Sequence, residues 1–216
     1  RAMKFHDLNV VVDNDPAFGP IHQASMANFL IKLGYDGIAY NVMATPPLEK
    51  RHRCSIESCK SEEAAEQKKA GKNLTRRSGS SLLRLDGRGF RQLTRITVTI
   101  DDSDIGYFEG SGPILNSYDL VAVRPVSEKA FDLSCRVLRT DIISLDLTSR
   151  LPFHIRPTLV SAAVARGVFF ELCYTHALRD AGARRQALTN ADMIVRAAKG
   201  RNILVASGAA QPTELR

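Results

Sequence analysis

At 216 residues, with 44% hydrophobic and 25% charged side chains and a mean hydropathy of −0.15, the chain has the composition of one ordinary globular domain. No apolar run approaches the roughly 18 residues of a membrane span, and the N-terminus lacks the basic start, apolar centre and cleavage site of a secretory signal. A cytosolic or nuclear home with no membrane association is therefore expected. Thirty Lys and Arg against 23 Asp and Glu give a net charge of +7 and a pI near 9.4, which points to an anionic partner such as nucleic acid.

Phe5 to Val12 (FHDLNVVV) reads as a strand rich in β-branched residues. A helix follows: Pro20 suits the first helical position, Met26, Phe29, Leu30 and Leu33 repeat at helical spacing, and Gly34 supplies a left-handed stop. Gly37 to Asn41 is a second strand. Over residues 42–91 the apolar pattern fades into Pro46-Pro47, a charged stretch from Ser61 to Ala70 and the run KNLTRRSGSSLLRLDGRGFRQ, read as a basic insertion that is functional or flexible.

Order then resumes. Leu93 to Ile100 alternates as LTRITVTI, Asp119 to Val123 is an apolar run, and a helix starts after Ser127 with Phe131, Ser134, Cys135 and Leu138 along one side. Ile142 to Leu147 is strand-like, Arg156-Pro157 opens a helix that Gly167 closes, and Val168 to Cys173 is a buried strand. A last helix runs through Ala191, Ile194, Val195 and Ala198, capped by Thr189 or Asn190 and stopped by Gly200, before a strand in NILVASGAAQPTEL. Seven strands joined by helices imply a parallel sheet, and seven such units suggest a barrel formed by a single domain, 1–216.

The chemistry-bearing residues do not converge on a catalytic set. Asp7 and Asn9 fall on one strand face and His6 on the other, so Asp7 and Asn9 read as bonding to backbone rather than to metal. Glu171, inside FFELCY, needs a partner or a raised pKa, and reads as paired with an arginine from a neighbouring strand or helix. His154 and His176 sit just past strands but have no nucleophile beside them in sequence. Cys54, Cys59, Cys135 and Cys173 are too scattered for a disulfide framework, and Cys54 and Cys59 are spaced too widely for the usual zinc pair near His52.

The basic charge is segregated. Lys72, Arg76, Arg77, Arg84, Arg88, Arg91 and Arg95 are opposed over their segment only by Asp86, the turn RDAGARRQAL carries Arg179, Arg184 and Arg185, and Arg196, Lys199 and Arg201 follow. With few stacking aromatics, these stretches favour phosphate contact over base reading.

The strings YDLVAVRPVSEKAFDLSC, LPFHIRP, ARGVFFELCYTHALRDAGARRQAL and AAKGRNILVASGAAQPTELR together resemble the thirty-kilodalton protein subunit of eukaryotic and archaeal ribonuclease P, shared in eukaryotes with ribonuclease MRP. The resemblance runs from Asp7 to Arg216 and is strongest from Tyr118 onward. It implies an α/β fold, a PHP-like TIM-type (β/α) barrel of about seven βα units here, with a further unit past Arg216 that leaves closure open. Where PHP phosphoesterases carry metal ligands, this sequence has Asp7-Leu8-Asn9-Val10 and Ser207-Gly208-Ala209-Ala210. Glu171 alone matches a strand-end acid of those enzymes.

The resemblance thus implies a noncatalytic subunit, with no metal or cofactor of its own and Mg2+ held by the RNA, that braces ribonuclease P or MRP RNA for precursor-tRNA 5′-end maturation and rRNA processing in the nucleus and nucleolus. The expected partners are that RNA, a small α/β protein subunit in a heterodimer, other holoenzyme subunits and, indirectly, precursor tRNA. The expected RNA-contacting residues are Arg76, Arg77, Arg84, Arg88, Arg91, Arg95, Arg156, Arg179, Arg184 and Arg185, with Arg184 and Arg185 matching a basic pair of the family. The alternatives are a divergent metal-dependent PHP-type phosphoesterase using Glu171, His154, His176 and Asp7, and a protein-only interaction module.

Overall fold

The computed structural model describes residues 5–12, 19–56, 81–85 and 88–216. All seven expected strands are present: β1 (His6–Val11), β2 (Gly37–Ala44), β4 (Arg88–Ile100), β5 (Leu120–Pro125), β6 (Ile142–Ser144), β7 (Phe169–Cys173) and β8 (Ile203–Ala206). They pair in parallel in the order β1-β2-β4-β5-β6-β7-β8. Between them run α1 (Gly19–Lys32), α2 (Ile105–Gly110), α3 (Gly112–Leu115), α4 (Glu128–Arg136), α5 (Pro157–Ala165), α6 (Thr175–Arg179) and α7 (Ala181–Ala198). The alternation gives a TIM-type barrel.

Closure, left open by the sequence, is nearly completed at the seam between β8 and β1, which an isolated bridge joins. Val10 bridges Ala209 in parallel, with Val11 N–H donating to Ala209 O (2.8 Å) and Gly208 N–H donating to Asn9 O (2.9 Å). This seam explains the small residues after β8. Gly208 sits at φ 66°, and a Cβ there would lie 3.2 Å from Cys173 Cβ, so both backbone conformation and close approach call for glycine.

Each strand divides its side chains between two environments. One side packs apolar residues against the helices: Ile38, Tyr40 and Val42 on β2, Ile96 and Val98 on β4, Val123, Ile143 and Phe170, covered by Met26 and Leu30 of α1, Phe131 and Cys135 of α4, Leu159 and Val160 of α5 and Ile194 of α7. The other side faces the barrel interior and is polar: Asp7, Asn9, Asn41, Arg95, Thr97, Ser144, Glu171 and Ser207 are all buried.

Three local expectations need correction. Within residues 42–91, Ser81–Leu85 forms a strand, β3, antiparallel to the start of β4, so part of the expected insertion is a hairpin; residues 57–80, which hold most of it, lie outside the described residues. The segment RDAGARRQAL is the beginning of an 18-residue helix rather than a turn: Asp180 caps α7 by accepting from Ala183 N–H (2.6 Å), which displaces the expected cap at Thr189 or Asn190 by about nine residues of chain. On α1 the buried stripe is Gln23, Met26, Ala27 and Leu30, while Phe29 and Leu33 face outward. By contrast, Ser127 caps α4 as expected, accepting from Ala130 N–H at 3.1 Å.

Asn190, buried in the middle of α7, donates to Leu147 O (3.0 Å) and Ser149 O (2.8 Å), tying the loop after β6 to the helix. Asn190→Ala leaves carbonyls without a donor in a buried site, and should lower unfolding free energy by about 2 kcal/mol in urea titration, with an unchanged m-value.

Candidate functional site inside the barrel

Arg95 projects from β4 into the barrel, where its side chain is fully enclosed, and meets Glu171 of β7, equally enclosed. The guanidinium takes the carboxylate with two arms, Nη1 to Oε1 (2.5 Å) and Nη2 to Oε2 (2.8 Å). Its other donors reach Leu8 O (2.8 Å) and Thr97 Oγ1 (3.1 Å). From there the network continues: Thr97 Oγ1 donates to Asn41 Oδ1 (2.8 Å), Asn41 Nδ2 donates to Asn9 Oδ1 (2.7 Å), and Asn9 Nδ2 donates to Glu171 Oε2 (3.0 Å). The ring of bonds is closed, as a buried polar set must be.

Burial alone would raise the Glu171 pKa, but the Arg95 charge and its hydrogen bonds outweigh burial and hold the carboxyl below its ordinary range. Asp7 is different. Burial pushes its pKa up, opposed by the Ser207 and Asn9 N–H groups that donate to Oδ1 (3.1 and 3.2 Å), while Oδ2 has no partner. Cys173, whose Sγ accepts from Asn9 Nδ2 (3.3 Å), is pushed far up by burial and by the Glu171 charge, so its thiol is not a nucleophile at neutral pH.

The sequence reading anticipated a Glu171–arginine pair and backbone bonding by Asp7, and both are present. The arginine, however, comes from β4, three places round the barrel from β7, and it is Arg95, which was expected to touch RNA. That assignment is corrected: a fully enclosed guanidinium, engaged by a carboxylate, cannot reach a phosphate outside. Among the other expected contacts, Arg91, Arg184 and Arg185 are exposed, and Arg156 is exposed but ion-paired with Glu128. Arg76 and Arg77, with the side chains of Arg84, Arg88 and Arg179, lie outside the described residues, as does the side chain of His176. His154 is exposed on the loop after β6, away from any described carboxylate cluster.

A cleft of about 610 Å³ opens elsewhere, against Phe108, Tyr118, Asp119, Arg139, Asp141 and Arg166. Three of its polar side chains hold the fold together: Asp119 accepts from Thr94 N–H, Asp141 from Val121 N–H, and Arg166 donates to four carbonyls at the end of α4. These bonds brace β4, β5 and the end of α4 around it.

Over residues 4–216 the sequence matches the family described as RNase P subunit p30. The chain belongs to that family. It is 34% identical to Protein GAMETOPHYTE DEFECTIVE 1 of Arabidopsis thaliana, across 99% of this chain and 38% of that protein. It is 35% identical to Ribonuclease P protein subunit p30 of Mus musculus (60% and 48%) and 37% identical to Ribonuclease P/MRP protein subunit RPP1 of Saccharomyces cerevisiae (61% and 44%). The chain spans less than half the length of these relatives.

Two solved structures share the fold. A chain in archaeal ribonuclease P with mature tRNA superposes with a TM-score of 0.59 at 14% identity, covering 98% of this chain and 77% of that one. Histidinol phosphate phosphatase from Lactococcus lactis, complexed with zinc, L-histidinol and phosphate, gives 0.51 at 11% identity, covering 96% and 87%. The likeness to a PHP-type phosphatase raises the question of a metal. The donors here do not fit one: among the described residues no three His, Cys, Asp or Glu side chains stand together, and Glu171 is committed to Arg95.

Arg95→Met should strand the Glu171 charge and cost about 3–5 kcal/mol in urea unfolding, whereas Arg95→Met with Glu171→Leu should recover most of that loss. Asp7, whose proton is held more tightly in the fold, stabilises below its unfolded pKa and loses that contribution as pH rises through its folded value; Glu171 stabilises above its unfolded pKa and loses its contribution as pH falls through its lowered folded value. Asp7→Asn should therefore raise stability by roughly 1 kcal/mol near pH 7 and change it little near pH 4, read from denaturation at each pH.

Proposed function

We propose that this chain acts as a protein subunit of the ribonuclease P or ribonuclease MRP ribonucleoprotein in the nucleus and nucleolus, supporting precursor-tRNA 5′-end maturation and rRNA processing without catalysing either itself. The observation that carries this reading is the closed Arg95–Glu171 network, which stands in the interior of a phosphatase-like barrel belonging to the RNase P subunit p30 family. An enzyme of that fold would use its strand-end acid to hold a metal; here that acid neutralises an internal cation. Hydrolysis then falls to the RNA, with Mg2+ on that RNA activating the water.

The chain's part is to bind and brace. Arg184 and Arg185 lie in the first turns of α7, the end where the helix dipole is already positive. Arg184 Nε donates to Ala177 O (2.8 Å), which fixes the stem of an exposed side chain. Two arginines so placed cost the isolated helix stability and suit a phosphate backbone. The exposed Arg91 adds to the same kind of contact, and the remaining partners are a small α/β subunit of the complex and other holoenzyme proteins.

Binding to the cognate RNA should weaken linearly with log salt, and Arg184→Ala with Arg185→Ala should weaken it and reduce the slope by about two. Arg196→Ala, which removes an arginine already paired with Asp192, should leave the slope nearly unchanged. Salt-independent binding, or phosphodiester hydrolysis by the purified chain that disappears in Glu171→Gln, would refute the proposal.

A further inference from the structure

The cations inside the barrel are not all answered. Val123 of β5 pairs with Ile143 of β6, so the next residues along, Arg124 and Ser144, lie side by side. Ser144 in turn pairs with Glu171 of β7, and Arg124 with Thr99 of β4. In-register neighbours project from the same side of a sheet, and Glu171 points inward to Arg95. The row Thr99, Arg124, Ser144, Glu171 therefore lines the inner wall near the carboxyl ends of the strands. Consistent with that placement, the Arg124 charge acts on the Cys173 thiol, which faces Asn9 inside the barrel.

Within this row Arg124 Nε and Ser144 Oγ are both buried and both without a hydrogen-bond partner. Ser144 is 1% exposed; its hydroxyl is near enough to favour ionised Glu171 but closes no hydrogen bond of normal geometry with it. Arg124 is half-buried, unlike the fully enclosed Arg95. Glu171 Oε1 accepts from Arg95 and Oε2 from Arg95 and Asn9, and neither Arg124 Nε nor Ser144 Oγ closes a hydrogen bond to it. Two acids beyond the carboxyl ends of these strands are engaged too: Asp102 accepts from Ser127 Oγ, and Glu128, at the start of α4, pairs with Arg156.

Unpartnered buried polar groups are rare in folded proteins, and two on adjoining strands point to a ligand. Arginine has only donors, so the ligand must bring acceptors, and its fixed charge selects an anion. A phosphate group offers separate oxygens to the guanidinium fork and to the Ser144 hydroxyl at once. We propose that Arg124 and Ser144 form a phosphate-binding site at the mouth of the barrel, taking either a free phosphate or phosphate ester, or a phosphate of the RNA backbone. Only the second source rests on the ribonucleoprotein role proposed above.

The test titrates inorganic phosphate into the purified chain at constant ionic strength, following thermal unfolding and the phosphorus NMR signal. A saturable response is expected. It should weaken at least about tenfold in Arg124→Met and in Arg124→Lys, which lacks the fork, and by a few-fold in Ser144→Ala. It should persist in Arg184→Ala with Arg185→Ala. The NMR signal of the unmodified protein carries the test even where a variant folds poorly.

RNA binding by the Arg124→Met protein then separates the sources. Weakened binding that phosphate also competes away assigns the site to the RNA backbone, and unaltered RNA binding assigns it to a free phosphate or ester. No saturable response in the unmodified protein, or an equal one in Arg124→Met, overturns the proposal. A normal phosphate response in a chain that binds no RNA would instead count against the ribonucleoprotein role alone.

Discussion

A guanidinium sealed inside a barrel cannot shed its charge, so everything around Arg95 has to accommodate it. Glu171 supplies the countercharge from the opposite wall, Leu8 and Thr97 take two further donors, and Asn9 links the carboxylate to Asn41. Asn9 also accepts from Gly208 at the seam where β8 meets β1. One residue thereby joins the ion pair to the closure of the sheet. A buried pair of this kind gives little net stability over apolar replacements of similar size. Its consequence lies in register: β4, β7, β1 and β2 can satisfy these groups in only one alignment, since a one-residue slip would turn each side chain to the apolar layer.

How much of this was legible from the sequence varies by element, and the reasons are physical. The strands were readable because parallel barrel strands carry apolar runs bounded by helix signals, as in VFFELC and LTRITVTI. The start of α7 was not: its first two turns are mostly exposed, carry no large apolar residue, and include Gly182, so Asp180 looked like part of a turn. The stripe on α1 misled in the other direction, because spacing places Phe29 and Leu33 near the buried face without saying how far that face extends.

The ion pair was half visible. A carboxylate within FFELC demanded a partner, but the arginine lies 76 residues away, and its neighbours in sequence are further Lys and Arg that disguised it as one more member of a basic run. The signal that could have found it is parity. In LTRITVTI, Ile96, Val98 and Ile100 occupy one face, which places Arg95, Thr97 and Thr99 together on the other, and a barrel has no solvent on either side. The run of small residues after β8 needed the structure as well, because what selects Gly208 is the proximity of Cys173, a contact no local pattern announces.

A metal centre and an arginine can both anchor carboxylates inside a barrel, but they respond to different variables. Metal affinity depends on ligand deprotonation and on the supply of the ion, and ligand exchange at an open position is what gives the centre its reactivity. Arg95 is covalently part of the chain, cannot dissociate, and offers no open coordination position. The interior it organises is therefore formed independently of divalent ions and has nothing to exchange. That property leaves hydrogen-bond donation rather than Lewis acidity as the binding capacity of the mouth, where Arg124 Nε and Ser144 Oγ remain without partners.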